Sequence, residues 1–158
     1  MKVCIFGAGA LGGHLAAHLI AANQAEVAIV GRGPNLAAIR ERGITLNIAG
    51  RDIGGKAAVA TDNPASLPSQ DIVFVSLKAH TLPPAAEAIG KLVKPEGTVV
   101  FLLNGIPWWL NHGLPGAKGT LPLLDPDSRL WNNVRPERVI GSVVYSPNEM
   151  VAPGRIAH

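Results

Sequence analysis

An apolar strand running straight into a glycine-spaced turn is the feature that most restricts this chain. Val3-Cys4-Ile5-Phe6 is wholly apolar and partly β-branched, the composition of a parallel strand buried on both faces. Gly7-Ala8-Gly9-Ala10-Leu11-Gly12 follows without a gap, and a helical pattern then runs to about Ala22. Gly7 lets the chain turn sharply out of the strand, Gly9 lets backbone approach a pyrophosphate, and Gly12 lets the helix pack close to the sheet. The helix start presents unpaired N–H groups and the positive end of its dipole to phosphate. Glycine spacing alone is weak in a chain with 18 glycines. The strand before it and the helix after it supply the context that predicts a dinucleotide-binding turn.

The rest of the composition narrows the class. A chain of 158 residues, 47% hydrophobic, predicts one globular domain over 1–158 with a real core. Cys4, the single cysteine, lies in the first strand, so there is no disulfide framework and a cytoplasmic location is expected. No apolar run approaches the length of a membrane span, and the glycines interrupt any signal-peptide pattern. The net charge of +3 is spread over scattered basic residues, with no basic run interleaved with aromatics, which argues against nucleic acid.

Along the chain, Leu11, Leu15 and Leu19, with Ala16 and Ile20, form the apolar face of the first helix. His14 and His18 lack the Glu of a metalloprotease motif and an evident third ligand, so we read a solvated or interfacial pair and no metal site. Glu26 to Val30 is a second strand, ending in Gly31-Arg32. In NAD-binding domains an acidic residue about 20 positions after the last glycine receives the ribose hydroxyls. Here that position is Arg32, whose guanidinium suits a 2′-phosphate, so NADP(H) is the expected cofactor.

Pro34 to Arg42 is a short helix closed by Gly43. Ile44 to Ile48 is a strand, Ala49-Gly50-Arg51-Asp52 a hairpin turn, and Lys56 to Thr61 the expected returning partner. Asp71 to Leu77 is a buried strand delivering Lys78, and Pro83-Pro84 open a helix through Ala88 and Leu92. Glu96-Gly97 turns the chain into Thr98 to Leu103, which delivers Asn104-Gly105. Lys78 and Asn104 therefore emerge at the same sheet edge as the glycine turn, where open α/β sheets place ligands. Trp108-Trp109 either floor a nicotinamide or substrate pocket or pack against something outside the domain. Residues 111 to 128 form a long loop. Asp125 to Asn133 is a short helix, and Arg138 to Tyr145 and Arg155 to His158 are strands. The predicted fold is a Rossmann-like, doubly wound, mostly parallel sheet with helices on both faces and a small antiparallel excursion.

Taken in order, Gly7-Ala8-Gly9-Ala10-Leu11-Gly12, Gly31-Arg32, Leu77-Lys78-Ala79-His80, Leu103-Asn104-Gly105 and Gly141-Ser142-Val143-Val144-Tyr145 resemble the N-terminal half of the 2-dehydropantoate 2-reductases (ketopantoate reductases). The resemblance covers essentially the whole chain. It implies that Gly7 to Gly12 bind the pyrophosphate and Arg32 the 2′-phosphate of NADPH. It further implies that Lys78 and Asn104 act on cofactor and keto acid and that backbone near Ser146-Pro147 borders the nicotinamide. An ammonium and an amide donor can orient a 2-oxo acid and polarise its carbonyl. Family members continue into a C-terminal helical domain with a lysine general acid and a glutamate, which these residues do not include. The resemblance thus implies a cofactor-binding half, weak in turnover, with an exposed apolar face that invites self-association. Ile106-Pro107-Trp108-Trp109 departs from the simplest members and points to a related 2-oxo acid. A non-catalytic dinucleotide sensor is the alternative; Arg32, Lys78 and Asn104 argue against other Rossmann dehydrogenases.

Overall fold

A computed structural model describes all 158 residues. The first half runs β1 (Lys2–Phe6), α1 (Ala10–Ala22), β2 (Glu26–Val30), α2 (Gly33–Arg42), β3 (Ile44–Ile48), β4 (Arg51–Gly55), β5 (Val59–Thr61) and β6 (Gln70–Val75). It continues through α3 (Leu82–Leu92), β7 (Val93–Leu102), α4 (Arg129–Asn133), β8 (Val139–Ser142), β9 (Glu149–Ala152) and β10 (Arg155–Ala157).

The main sheet has the order β5-β2-β1-β6-β7-β8, and every pair in it is parallel. Its apolar strands alternate between two cores. Cys4, Phe6, Ala28, Val30, Val73 and Val75 face the cluster under α3 and α4. Ile5, Val27 and Ile29 face the cluster under α1, where Ile44, Leu46 and Ile156 of the smaller sheet also pack. Burial on both faces explains the unbroken apolar runs of β1 and β2. Cys4 is fully buried in this sheet, and that burial pushes its thiol up to about 12, so it behaves as a small hydrophobe.

The expected face of α1 does pack on the second core, through Ala16, Leu15, Leu19 and Ile20, but small residues make its closest contacts. Its fully buried residues are Gly12, Gly13, Ala16 and Ala17, whereas Leu11, Leu15, Leu19 and Ile20 are half-buried. The helix lies between two sheets, and only small residues let both approach closely. A Cβ on Gly13 would stand 2.6 Å from Ile156 Cδ1.

The antiparallel excursion is real but differently paired. β3 pairs with β4, with Ile48 opposite Arg51, so Lys56 to Thr61 is not its partner. A two-residue turn at Ala49 and Gly50, both at positive φ, brings the chain straight back at Arg51. Val59–Thr61 instead extends the main sheet beside β2. The second sheet, β4-β3-β10-β9, is completed by the end of the chain, β10 lying parallel to β3. β7 also starts earlier than expected: Glu96-Gly97 falls within it, inside the irregularity between the pairs Gln70–Val93 and Ile72–Thr98.

Both expectations are corrected for Trp108, whereas Trp109 is half-buried. Trp108 is 2% exposed in the domain's own core. It packs edge-on against Phe101 of β7 at 5.8 Å, Trp109 at 5.3 Å and Trp131 of α4 at 6.5 Å. The chain between β7 and α4 contains turns but no strand or α-helix before residue 126, and Trp108 anchors it. Asp125 anchors its far end, accepting the Leu130 and Trp131 N–H groups at 2.7 and 2.9 Å.

Candidate cofactor-binding site

In the main sheet β1, β2 and β5 run to one side and β6, β7 and β8 to the other. The order therefore reverses between β1 and β6, and a crevice opens at the carboxyl ends of the strands there. The register puts Val30, Phe6, Val75, Phe101 and Gly141 in one row. Beyond that row each strand releases one of the residues singled out in the sequence: the glycine turn after β1, Arg32 after β2, Lys78 after β6, Asn104 after β7 and Pro147 after β8.

The glycine turn is built by sterics. Gly7 has φ +104, and a Cβ there would lie 2.9 Å from Leu77 Cδ2 and 3.2 Å from Ser76 Oγ. At Gly12 a Cβ would overlap the Gly7 carbonyl oxygen and the Ser76 hydroxyl. Ser76 also donates to the Gly7 carbonyl, while the Gly7 N–H donates to Val30 O at 2.9 Å. Sequence reading passed over Ser76; its place directly after a buried strand was the available signal. Gly9 is exposed, and a Cβ on it would meet nothing within 4 Å. It is the N-cap of α1, which has no side-chain cap and no acidic residue in its first turn. Those N–H groups are thus free for an anion, so the cradle fits a pyrophosphate.

Arg32 is the exposed, extended N-cap of α2. The ion pairs of the structure use Arg40, Arg42, Lys91, Lys94 and Arg155, which leaves Arg32 and Lys78 free. Lys78 is exposed, and its carbonyl accepts the Thr81 N–H at 2.9 Å and the Thr81 hydroxyl at 2.7 Å. Asn104 is partly committed: its amide donates to Val144 O at 2.9 Å and accepts the Val144 N–H at 2.7 Å. One N–H of that amide remains for a ligand.

The segment after β8 has a second restraint. His158 Nδ1 lies 2.8 Å from the Pro147 carbonyl, which can only accept, so the proton sits on Nδ1. The His158 ring meets His14 at 5.0 Å between centroids, and His14 meets His18 at 4.8 Å. The expected two-histidine pair is therefore a cluster of three, and no group of side chains suited to a metal ion is present. Burial, then the neighbouring His18, hold the His14 pKa below 6.5. Unfolded chain takes up that proton near 6.5 and the folded chain only at lower pH. Stability is therefore expected to fall as pH drops below about 6.5 and to level off beneath the lowered folded value. The urea midpoint should drop more between pH 7.5 and 5.5 in the parent than in His14→Gln; equal drops would remove His14 as the cause.

A parallel sheet with a glycine turn at its switch point defines a Rossmann-like α/β domain. The family model described as ketopantoate reductase PanE/ApbA matches residues 3–158. The chain belongs to that family. It is 44% identical to a 2-dehydropantoate 2-reductase of Mesorhizobium japonicum, over 100% of this chain and 49% of that protein. A Pyrococcus abyssi 2-dehydropantoate 2-reductase is 31% identical over 67% of this chain and 34% of its own length. Among solved structures, a Ralstonia solanacearum protein assigned to the ketopantoate reductases superposes with a TM-score of 0.90 at 34% identity, covering 99% of this chain and 48% of that one. D-mandelate dehydrogenase with NADH and anilino(oxo)acetate shares the fold, with a TM-score of 0.74 at 21% identity over 99% of this chain and 45% of its own. The chain spans about half the length of the curated relative it matches end to end. No helix is long and apolar enough to cross a membrane.

Proposed function

We propose that this chain binds NADPH and serves the reduction of a 2-oxo acid, 2-dehydropantoate or a relative of it, to the 2-hydroxy acid. The observation that carries this reading is the convergence of the glycine turn, Arg32, Lys78, Asn104 and Pro147 at one edge of the sheet, in a member of the ketopantoate reductase family. The turn of Gly7, Ala8, Gly9, Ala10, Leu11 and Gly12 would hold the pyrophosphate on the free N–H groups at the start of α1, Gly7 shaping the turn while its own N–H stays on Val30 O, and the Arg32 guanidinium would take the 2′-phosphate. NADPH supplies the hydride. The Lys78 ammonium, free of ion pairs, offers its positive charge to the substrate carboxylate and to the oxygen that gains charge during reduction. The Asn104 amide holds the backbone at Val144 in place and keeps one N–H available to the reacting groups.

These residues make up the cofactor-binding half of the site, and we expect them to bind NADPH while turning over 2-dehydropantoate weakly by themselves. Tyr145 is 92% exposed, Val143 68%, Ile140 55% and Val151 52%, and we expect copies of the chain to associate through exposed apolar side chains such as these.

The test is a titration with NADPH and NADH, followed by cofactor fluorescence. The parent should prefer NADPH, and Arg32→Ala should weaken NADPH binding by about 10–100-fold, equivalent to about 1.4–2.7 kcal/mol, with little change for NADH. Equal affinities unaffected by the substitution would sink the NADP reading. NADPH binding with no detectable turnover, even at high protein concentration, would favour a dinucleotide sensor.

A further inference from the structure

Asn35 lies in the first turn of α2, three residues beyond Arg32. Its side chain is half-buried and makes two bonds to backbone far away in sequence. Nδ2 donates to the Ala8 carbonyl at 2.6 Å, and Oδ1 accepts the Gly154 N–H at 2.7 Å. Ala8 is inside the glycine turn. Gly154 is in the turn joining β9 to β10, buried and at φ +76, and its carbonyl accepts the Thr45 N–H of β3 at 2.9 Å. One amide thus ties the phosphate turn, the start of α2 and the second sheet together.

We infer that Asn35 is a positioning residue that fixes the distance and orientation between the pyrophosphate cradle and Arg32, and so sets the preference for a 2′-phosphorylated dinucleotide. This rests on the cofactor reading above. The peptide unit is planar and trans, so pinning the Ala8 carbonyl toward α2 points the Gly9 N–H the opposite way. The same side chain fixes the helix whose first residue follows Arg32. The task needs a donor and an acceptor on one short planar group. Aspartate would offer only acceptors to the Ala8 oxygen, and a hydroxyl is too short to span both partners. A slack joint acts unequally on the two cofactors. NADH engages the cradle without the Arg32 contact, whereas NADPH gains its advantage only if both ends are met at once.

The experiment measures NADPH and NADH dissociation constants, thermal midpoints and amide hydrogen exchange in the parent and in Asn35→Ala. Asn35→Ser, which keeps a polar group without the bridge, serves if the alanine variant does not fold. The expected result is a rise of about tenfold in the NADPH constant against less than about threefold for NADH, so that the preference narrows. Faster exchange should appear at Gly9–Gly13 as well as at Gly154 in the ligand-free variant. Equal weakening of both cofactors, or none, would overturn the positioning role. A parent without preference for NADPH would overturn the reading of Arg32; unchanged exchange at Gly9–Gly13 would then separately decide against the Asn35 joint.

Discussion

Gly12→Ala is expected to lower both stability and dinucleotide binding, although alanine is the better helix former by about 1 kcal/mol. The added methyl would overlap the Gly7 carbonyl oxygen and the Ser76 hydroxyl and come within 3.1 Å of the Gly7 carbonyl carbon. Ser76 can rotate, but Gly7 is backbone at the end of β1 and is held by Val30. The start of α1 must therefore move away from the sheet. Overpacking of this kind costs about 1–3 kcal/mol, so packing outweighs propensity. The displaced N–H groups should also weaken NADPH binding by about tenfold or more, since tenfold needs only about 1.4 kcal/mol. Gly9→Ala is the contrasting control, because its methyl meets nothing within 4 Å. It should leave the thermal midpoint almost unchanged while obstructing the pyrophosphate. If Gly12→Ala melts and binds like the parent, the close contact of α1 with β1 is not what shapes the cradle.

Trp108→Ala is expected to be the most destabilising single change in the chain. Truncating a fully buried tryptophan typically removes about 3–5 kcal/mol. Here the indole joins Phe101 of β7, Trp109 and Trp131 of α4, so its loss would leave a cavity between sheet, loop and helix. Urea unfolding should show a much lower midpoint. Its Nε1 is buried without a hydrogen-bond partner, so part of the indole already works against stability. Trp108→Phe, which keeps an aromatic ring and removes that N–H, should therefore cost far less. A near-parent midpoint for the alanine variant would instead return Trp108 to the role of a ligand-pocket wall.

For Trp108 the two readings drawn from the sequence failed for an identifiable reason. Trp108 follows Asn104-Gly105 at the ligand edge of the sheet, and local pattern cannot tell a side chain that lines a crevice from one that folds back under the loop. The apolar face of α1 was legible from its spacing, and Ala16, Leu15, Leu19 and Ile20 do pack on the core. Spacing did not show that the helix is held between two sheets, which adds Gly13 and Ala17 to Gly12 and Ala16 as its fully buried residues. The hairpin partner of β3 was missed because Gly54 and Gly55 weaken the strand signal of Arg51–Gly55, although they sit at φ +132 and +151 within it.

What the sequence determined by itself was the local chemistry: an apolar strand before a glycine turn, a helix after it, an arginine where a carboxylate would serve NAD, and buried strands ending in Lys78 and Asn104. These are signals carried within a few residues, and strand direction in a parallel sheet then sends their ends to one edge. Tertiary structure alone decided what joins across distance. It paired β10 with β3 and closed the second sheet over α1. It also engaged the Asn104 amide with Val144, gathered His14, His18 and His158, and let Asn35 bridge Ala8 to Gly154, the latter 119 positions from Asn35. A polar side chain reveals a partner in the sequence only when that partner is near. Long-range hydrogen bonds depend on how two sheets and a helix come to rest against one another.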